Sequence, residues 1–167
     1  NAAGLTSVRY AGASPAVYEQ LRELQRRGEL TVRASVLFRV SSQPERVDEI
    51  LSGWSVGPDD GDYWVRVSGI KLGVDGGFEG GWMTEPYEEP WGDGGTFRGL
   101  QTVPSDAYVG TVIELNRKGW RVATHAVGDA AIDLVLEAYG AANADRPITG
   151  RRWVIEHAFV PRSDQFD

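Results

Sequence analysis

The sequence predicts an α/β fold of parallel strands and crossover helices: most of a (β/α)8 TIM barrel, or an open doubly wound sheet. Three observations lead there. Short apolar runs rich in β-branched residues alternate along the chain with amphipathic stretches, the pattern of parallel strands joined by helices. Each of the only two histidines, His125 and His157, closes one such run. Each amphipathic stretch also carries its own start and stop residues. No Gly-x-Gly-x-x-Gly follows the first strand, which disfavours the open sheet. A complete barrel takes about 250 residues, so 167 residues would supply about five of its eight βα units.

The elements follow in order. Asn1–Gly4 reads as the tail of a helix, with glycine at its end. Leu5–Tyr10 alternates as a strand should, and Ser14-Pro15 starts a helix with serine as N-cap and proline at the first helical position. That helix runs through Tyr18, Leu21 and Leu24 to Gly28. Leu30–Phe38 is the second strand, and Gln43-Pro44 opens a helix that stops at Gly53. Tyr63–Val67 is strand-like, a short excursion before the buried strand Gly69–Val74. Pro104 starts a helix through Tyr108, Val112 and Leu115 to Gly119, and Trp120–His125 is the next strand. Asp129 caps a helix carrying Ile132, Val135, Leu136 and Tyr139, and Arg152–His157 is the last strand. Ser163–Asp167 reads as a further helix start. Both ends are expected to fall inside a larger unit, with residues 1–167 the central part of one barrel domain.

From Asp75 to Gly99 the composition shifts to glycine, acids and the aromatics Trp82, Tyr87 and Trp91. Loops of this length are commonly lids or binding loops. This one is expected to cover an apolar substrate pocket or to be a surface loop pinned by its aromatics.

Composition narrows the function. A formal charge of −7 argues against nucleic-acid and anionic-membrane partners. The absence of cysteine excludes disulfides and thiolate metal sites. There is no long apolar run and no export signal. The expected partner is a small-molecule substrate in the cytoplasm, and a homo-oligomer is left open.

His125 and His157 lie one βα unit apart, so their strands should be neighbours, with both side chains at the C-terminal rim where barrel enzymes keep their chemistry. Neutral imidazole suits a divalent transition metal such as zinc. Strand-capping histidines bonded to backbone are the alternative. Lys71 lies within the apolar Ile70-Lys71-Leu72, where an amine is costly to bury unpaired and its pKa would fall. An edge strand, or snorkelling to solvent, is the alternative. Asp75 lies at the same rim, where it would contact substrate or turn the chain, and Trp82 is a second candidate for substrate contact. Glu156 should point away from His157, because neighbouring strand residues face opposite sides.

Gly69–Gly76 (GIKLGVDG), Thr124–Asp133 (THAVGDAAID) and Ile155–Ala158 (IEHA) resemble three motifs of the amidohydrolase superfamily. They are most similar to its YtcJ-like branch, amidohydrolase family 3, which includes N-substituted formamide deformylases. The resemblance covers most of the chain with the motifs in order. It implies a metal-dependent hydrolase of non-peptide carbon–nitrogen bonds, on an amide or N-acyl substrate, or a related esterase or cyclic amidase. It further implies Lys71, His125 and His157 as ligands of one or two divalent ions, zinc above all, with Lys71 carboxylated by carbon dioxide. Attack would come from hydroxide made available on the metal. Two family elements, a His-x-His pair on the first strand and a general-base aspartate on the last, are not in this sequence. The loop after Asp75-Gly76 also departs from the commoner family pattern, which leaves the substrate open.

Overall fold

The computed structural model describes residues 1–88 and 92–166. Five parallel strands lie in one sheet in chain order: β1 (Ser7–Ala13), β2 (Arg33–Arg39), β3 (Val65–Gly73), β4 (Val122–Ala126) and β5 (Val154–His157). The sheet curls into a half-barrel, an α/β arrangement consistent with part of a TIM barrel. Helices α1 (Pro15–Arg26), α2 (Val47–Ser52), α3 (Ser105–Arg117) and α4 (Asp129–Asp145) make the crossovers. The Ser14 hydroxyl caps α1, accepting from the Val17 N–H, with Pro15 at its first position, as the Ser-Pro pair predicts.

Three elements differ from the sequence expectation. Tyr63–Val67 is no separate excursion, because Val65–Val67 begins β3 itself. The two apolar pieces are joined across a bulge at Ser68, where Val36 pairs with Val67 and Leu37 with Gly69. Gly69 has φ +141°, and a Cβ there would stand 2.7 Å from the Arg121 carbonyl oxygen; a bulge against so close a neighbour needs glycine. The second helix is short, a 3-10 turn at Pro44–Arg46 leading into α2. Asn1–Gly4 is a turn closed by the Gly4 N–H on the Asn1 carbonyl, not a helix end.

The core lies between the convex face of the sheet and the helices. Val36, Phe38, Val65, Val67, Ile70, Leu72 and Val122 meet Tyr108, Val112 and Leu115 of α3 and Ile132, Val135 and Ala138 of α4. Phe38 is enclosed by the rings of Tyr18, Trp54 and Trp120, at centroid distances of 6.2, 5.0 and 6.3 Å. Two tyrosines from the helices tie this layer to β4. The Tyr108 hydroxyl pairs with Thr124 Oγ1 at 2.7 Å, and Tyr139 donates to the same oxygen and to the Val154 carbonyl. The strands are thereby fixed from behind, which sets where their C-terminal ends stand.

Candidate metal centre

Register determines what reaches the concave face. Arg39 pairs with Lys71, Lys71 with Ala123, and His125 with Glu156. Residues two apart share a face, so Arg39, Lys71, His125 and Glu156 all belong to the concave side. Glu156 is therefore not turned away, as its place before His157 suggested. Its carboxylate pairs with the Lys71 amine and, through Oε1, with Arg9 of β1 at 2.7 Å. His157 reaches this side by another route. Its φ is +80° and that of Ala158 +46°, a left-handed step that swings the side chain out of alternation. The His125 and His157 rings consequently meet edge to face, 4.6 Å between centroids.

Lys71, His125 and Asp75 line one groove of about 800 Å³ at the C-terminal ends of the strands, together with Arg39 and Tyr10. Lys71 is 7% exposed. Burial first, then the charges of Arg9 and Arg39, push its amine down to about 8. His157 is also held below its ordinary value, by burial and then by the neighbouring charges of His125 and Lys71. Both groups are thereby biased toward their neutral, lone-pair-bearing forms.

Asp75 lines the groove and also anchors the rim loops. Its buried carboxylate accepts from the backbone N–H groups of Trp82, Val127 and Gly128 at 2.9–3.1 Å. It also stands 3.4 Å from His125 Nε2, which is 2.7 Å from the Gly76 carbonyl oxygen. One carboxylate thus fixes the loop after β3, the loop after β4 and the ring of His125. Gly128 is required at this junction, because a Cβ there would collide with the Trp82 backbone. Trp82 is half-buried and packs against the hydrophobic core, outside the lining of the groove. Tyr87 donates to the Gly81 carbonyl and stacks on Phe97, so these aromatics pin the loop to itself. Trp91 lies outside the described residues.

Asp129 does not cap α4; Gly128 does, and Asp129 is the first helical residue. Its carboxylate takes the Thr84 N–H at 2.8 Å, the Thr84 hydroxyl and Arg162 at 3.0 Å. This second anchor for the rim loops could not be read from the sequence, where an aspartate before an apolar run looks like a cap. Among the described residues, no three of His, Asp or Glu converge as a metal cluster, so a ligand set here depends on including Lys71.

The C-terminal ends of these parallel strands thus present two imidazoles and a buried amine on one rim. The amidohydrolase family profile matches residues 1–166, and the chain belongs to the amidohydrolase family. It is 29% identical over 132 residues to the protein LONG AFTER FAR-RED 3 of Arabidopsis thaliana, covering 77% of this chain and 21% of that protein. It superposes on an uncharacterized metal-dependent hydrolase from Pyrococcus furiosus with a TM-score of 0.76 and 28% identity, over 98% of this chain and 32% of that one. A second such hydrolase, from Pyrococcus horikoshii OT3, gives 0.73 and 26%, over 97% and 30%. The chain thus spans about a third of these hydrolases and a fifth of the plant protein. No helix among the described residues is long and apolar enough to cross a membrane.

Proposed function

We propose that the chain forms the central part of a (β/α)8 catalytic barrel that hydrolyses a non-peptide carbon–nitrogen bond, an amide or N-acyl bond, with the help of divalent metal. The observation that carries this reading is the edge contact of His125 with His157, beside a groove that also holds Lys71. The donor set fits a divalent ion. Two imidazoles of adjacent strands converge, and the lowered pKa of Lys71 enlarges the share of neutral amine, the form that adds carbon dioxide to give a carbamate. Lys71, His125 and His157 would hold the metal, zinc being the best match to these donors. A bound divalent ion would supply activation of water and polarisation of the scissile carbonyl.

The remaining chemistry belongs to the chain. Asp75 holds His125 and two rim loops in one arrangement. Glu156, tied to Arg9, gives the Lys71 side chain a fixed direction while it is an amine. Arg39, the register neighbour of Lys71, places positive charge in the groove, suited to a carbonyl oxygen that gains charge during attack.

Metal content of the intact protein tests the reading. Purified without chelator and given bicarbonate, it should carry about one or two zinc-like ions per chain. His125→Ala, His157→Ala and Lys71→Gln should each lose most of that metal, and with it the hydrolysis of simple amides. An intact protein that takes up no metal would end the proposal.

A further inference from the structure

Two phenylalanines at the rim are not accounted for by the core. Phe78, in the 3-10 turn Phe78–Gly80 after β3, is 74% exposed, and Phe159, two residues past His157, is 55% exposed. Neither belongs to the main hydrophobic cluster. Single exposed apolar side chains are ordinary. These two come from separate loops and meet edge to face at 5.5 Å between centroids. Phe159 in turn lies 5.6 Å from the His157 ring, and His157 lies 4.6 Å from His125. Four rings therefore form a row leading outward from the candidate metal centre. The groove on the other side of His125 holds the charged groups Lys71, Arg39 and Asp75 beside apolar residues such as Val17, Val40 and Val103.

We propose that Phe78 and Phe159 form an aromatic subsite that holds a flat apolar substituent of the substrate, an aryl group, while its polar carbonyl end faces Lys71 and the histidines. This rests on the hydrolase reading above. It adds a substrate class that the groove does not specify: amides with an aryl group near the scissile bond. Edge-to-face ring contacts favour an aromatic occupant over an alkyl one of equal area. Because two independent loops supply the two rings, each phenylalanine contributes separately to the preference.

The test uses the intact protein, stripped of metal, with acetanilide and N-methylacetamide as matched probes, and reads binding by saturation-transfer NMR and titration. Acetanilide should bind roughly tenfold more tightly, with saturation strongest on its ring protons. Phe78→Ala and Phe159→Ala should each reduce that preference several-fold and leave N-methylacetamide unchanged, and Phe159→Trp should restore it. Circular dichroism of each variant checks that it folds. Equal binding of the two probes by wild type, or an undiminished preference in both alanine variants, would overturn the subsite. Hydrolysis by the metal-loaded protein is scored separately. Retained aryl preference with no turnover of either probe would sink the hydrolase reading and leave the subsite standing. Turnover of both probes at equal efficiency would do the reverse.

Discussion

On its convex face the sheet carries Val36, Phe38, Val65, Val67, Ile70 and Leu72, all sealed under helices. On its concave face the same strands carry Ser35, Arg39, Lys71, His125 and Glu156, with Arg9 of β1 joined to them. Ile70, Lys71 and Leu72 show the contrast within three residues. The convex face holds the fold together by removing apolar surface from water. The concave face brings positive, negative and titratable groups close together in a groove. The difference teaches that one alternation supplies both stability and chemistry, so substitutions one residue apart should have unlike consequences.

Phe38→Ala gives the sharpest loss on the convex side. It removes a fully buried ring held by three others and should cost about 4 kcal/mol in denaturant unfolding of the intact protein. On the concave side, Glu156→Ala leaves Lys71 and Arg9 without their shared carboxylate and should cost about 3 kcal/mol. Lys71→Met, which leaves the Arg9 pair intact, should cost clearly less. If the two cost the same, the charges do not act as a unit.

Asp129→Asn weakens the anchor of the rim loops and should cost about 2 kcal/mol, with faster amide exchange at Thr84. Burial raises the Asp129 carboxyl, but hydrogen bonds from Thr84, Arg162 and Ala130 outweigh it and leave the carboxyl below its ordinary value of 3.8. A depressed carboxylate stabilises the fold fully above that ordinary value and loses its contribution as pH falls through the lower folded value. Acid unfolding of the Asn variant should therefore be less steep than that of wild type in this range. The smallest effect has the opposite sign. His157→Gly relieves a left-handed backbone that disfavours a side chain and should raise stability by about 0.5 kcal/mol while reducing metal uptake. A loss of stability would mean that the ring's contact with His125 outweighs the strain.

Much of the architecture was legible in the sequence because alternation and helix caps are local signals. The five strands, their parallel order and the neighbouring positions of His125 and His157 followed from apolar runs and the spacing of one βα unit. Lys71 was conspicuous because an amine between Ile70 and Leu72 breaks an apolar run. The rest depends on contacts distant in sequence. Nothing near His157 announces a left-handed φ, since neither it nor Ala158 is glycine or asparagine, so the inward turn of Glu156 was hidden. Ser68 makes β3 one strand only because its partner β2 lacks a matching residue. Asp75 and Asp129 look like turn residues, and their anchoring role appears only when the loops after β3 and β4 come together. The pairing of Phe78 with Phe159 was invisible for the same reason.

Each strand of this sheet pairs with the one made immediately before it, β1 with β2 through β4 with β5. Every pairing closes a loop of one βα unit, so the entropy cost of closure stays nearly the same from first to last. A sheet ordered in this way can grow at one edge as the chain emerges during synthesis, each new strand docking on a finished template. Lys71, His125 and His157 would then come into place in that sequence. The groove and the apolar layer behind it would form together, strand by strand, because each strand carries both.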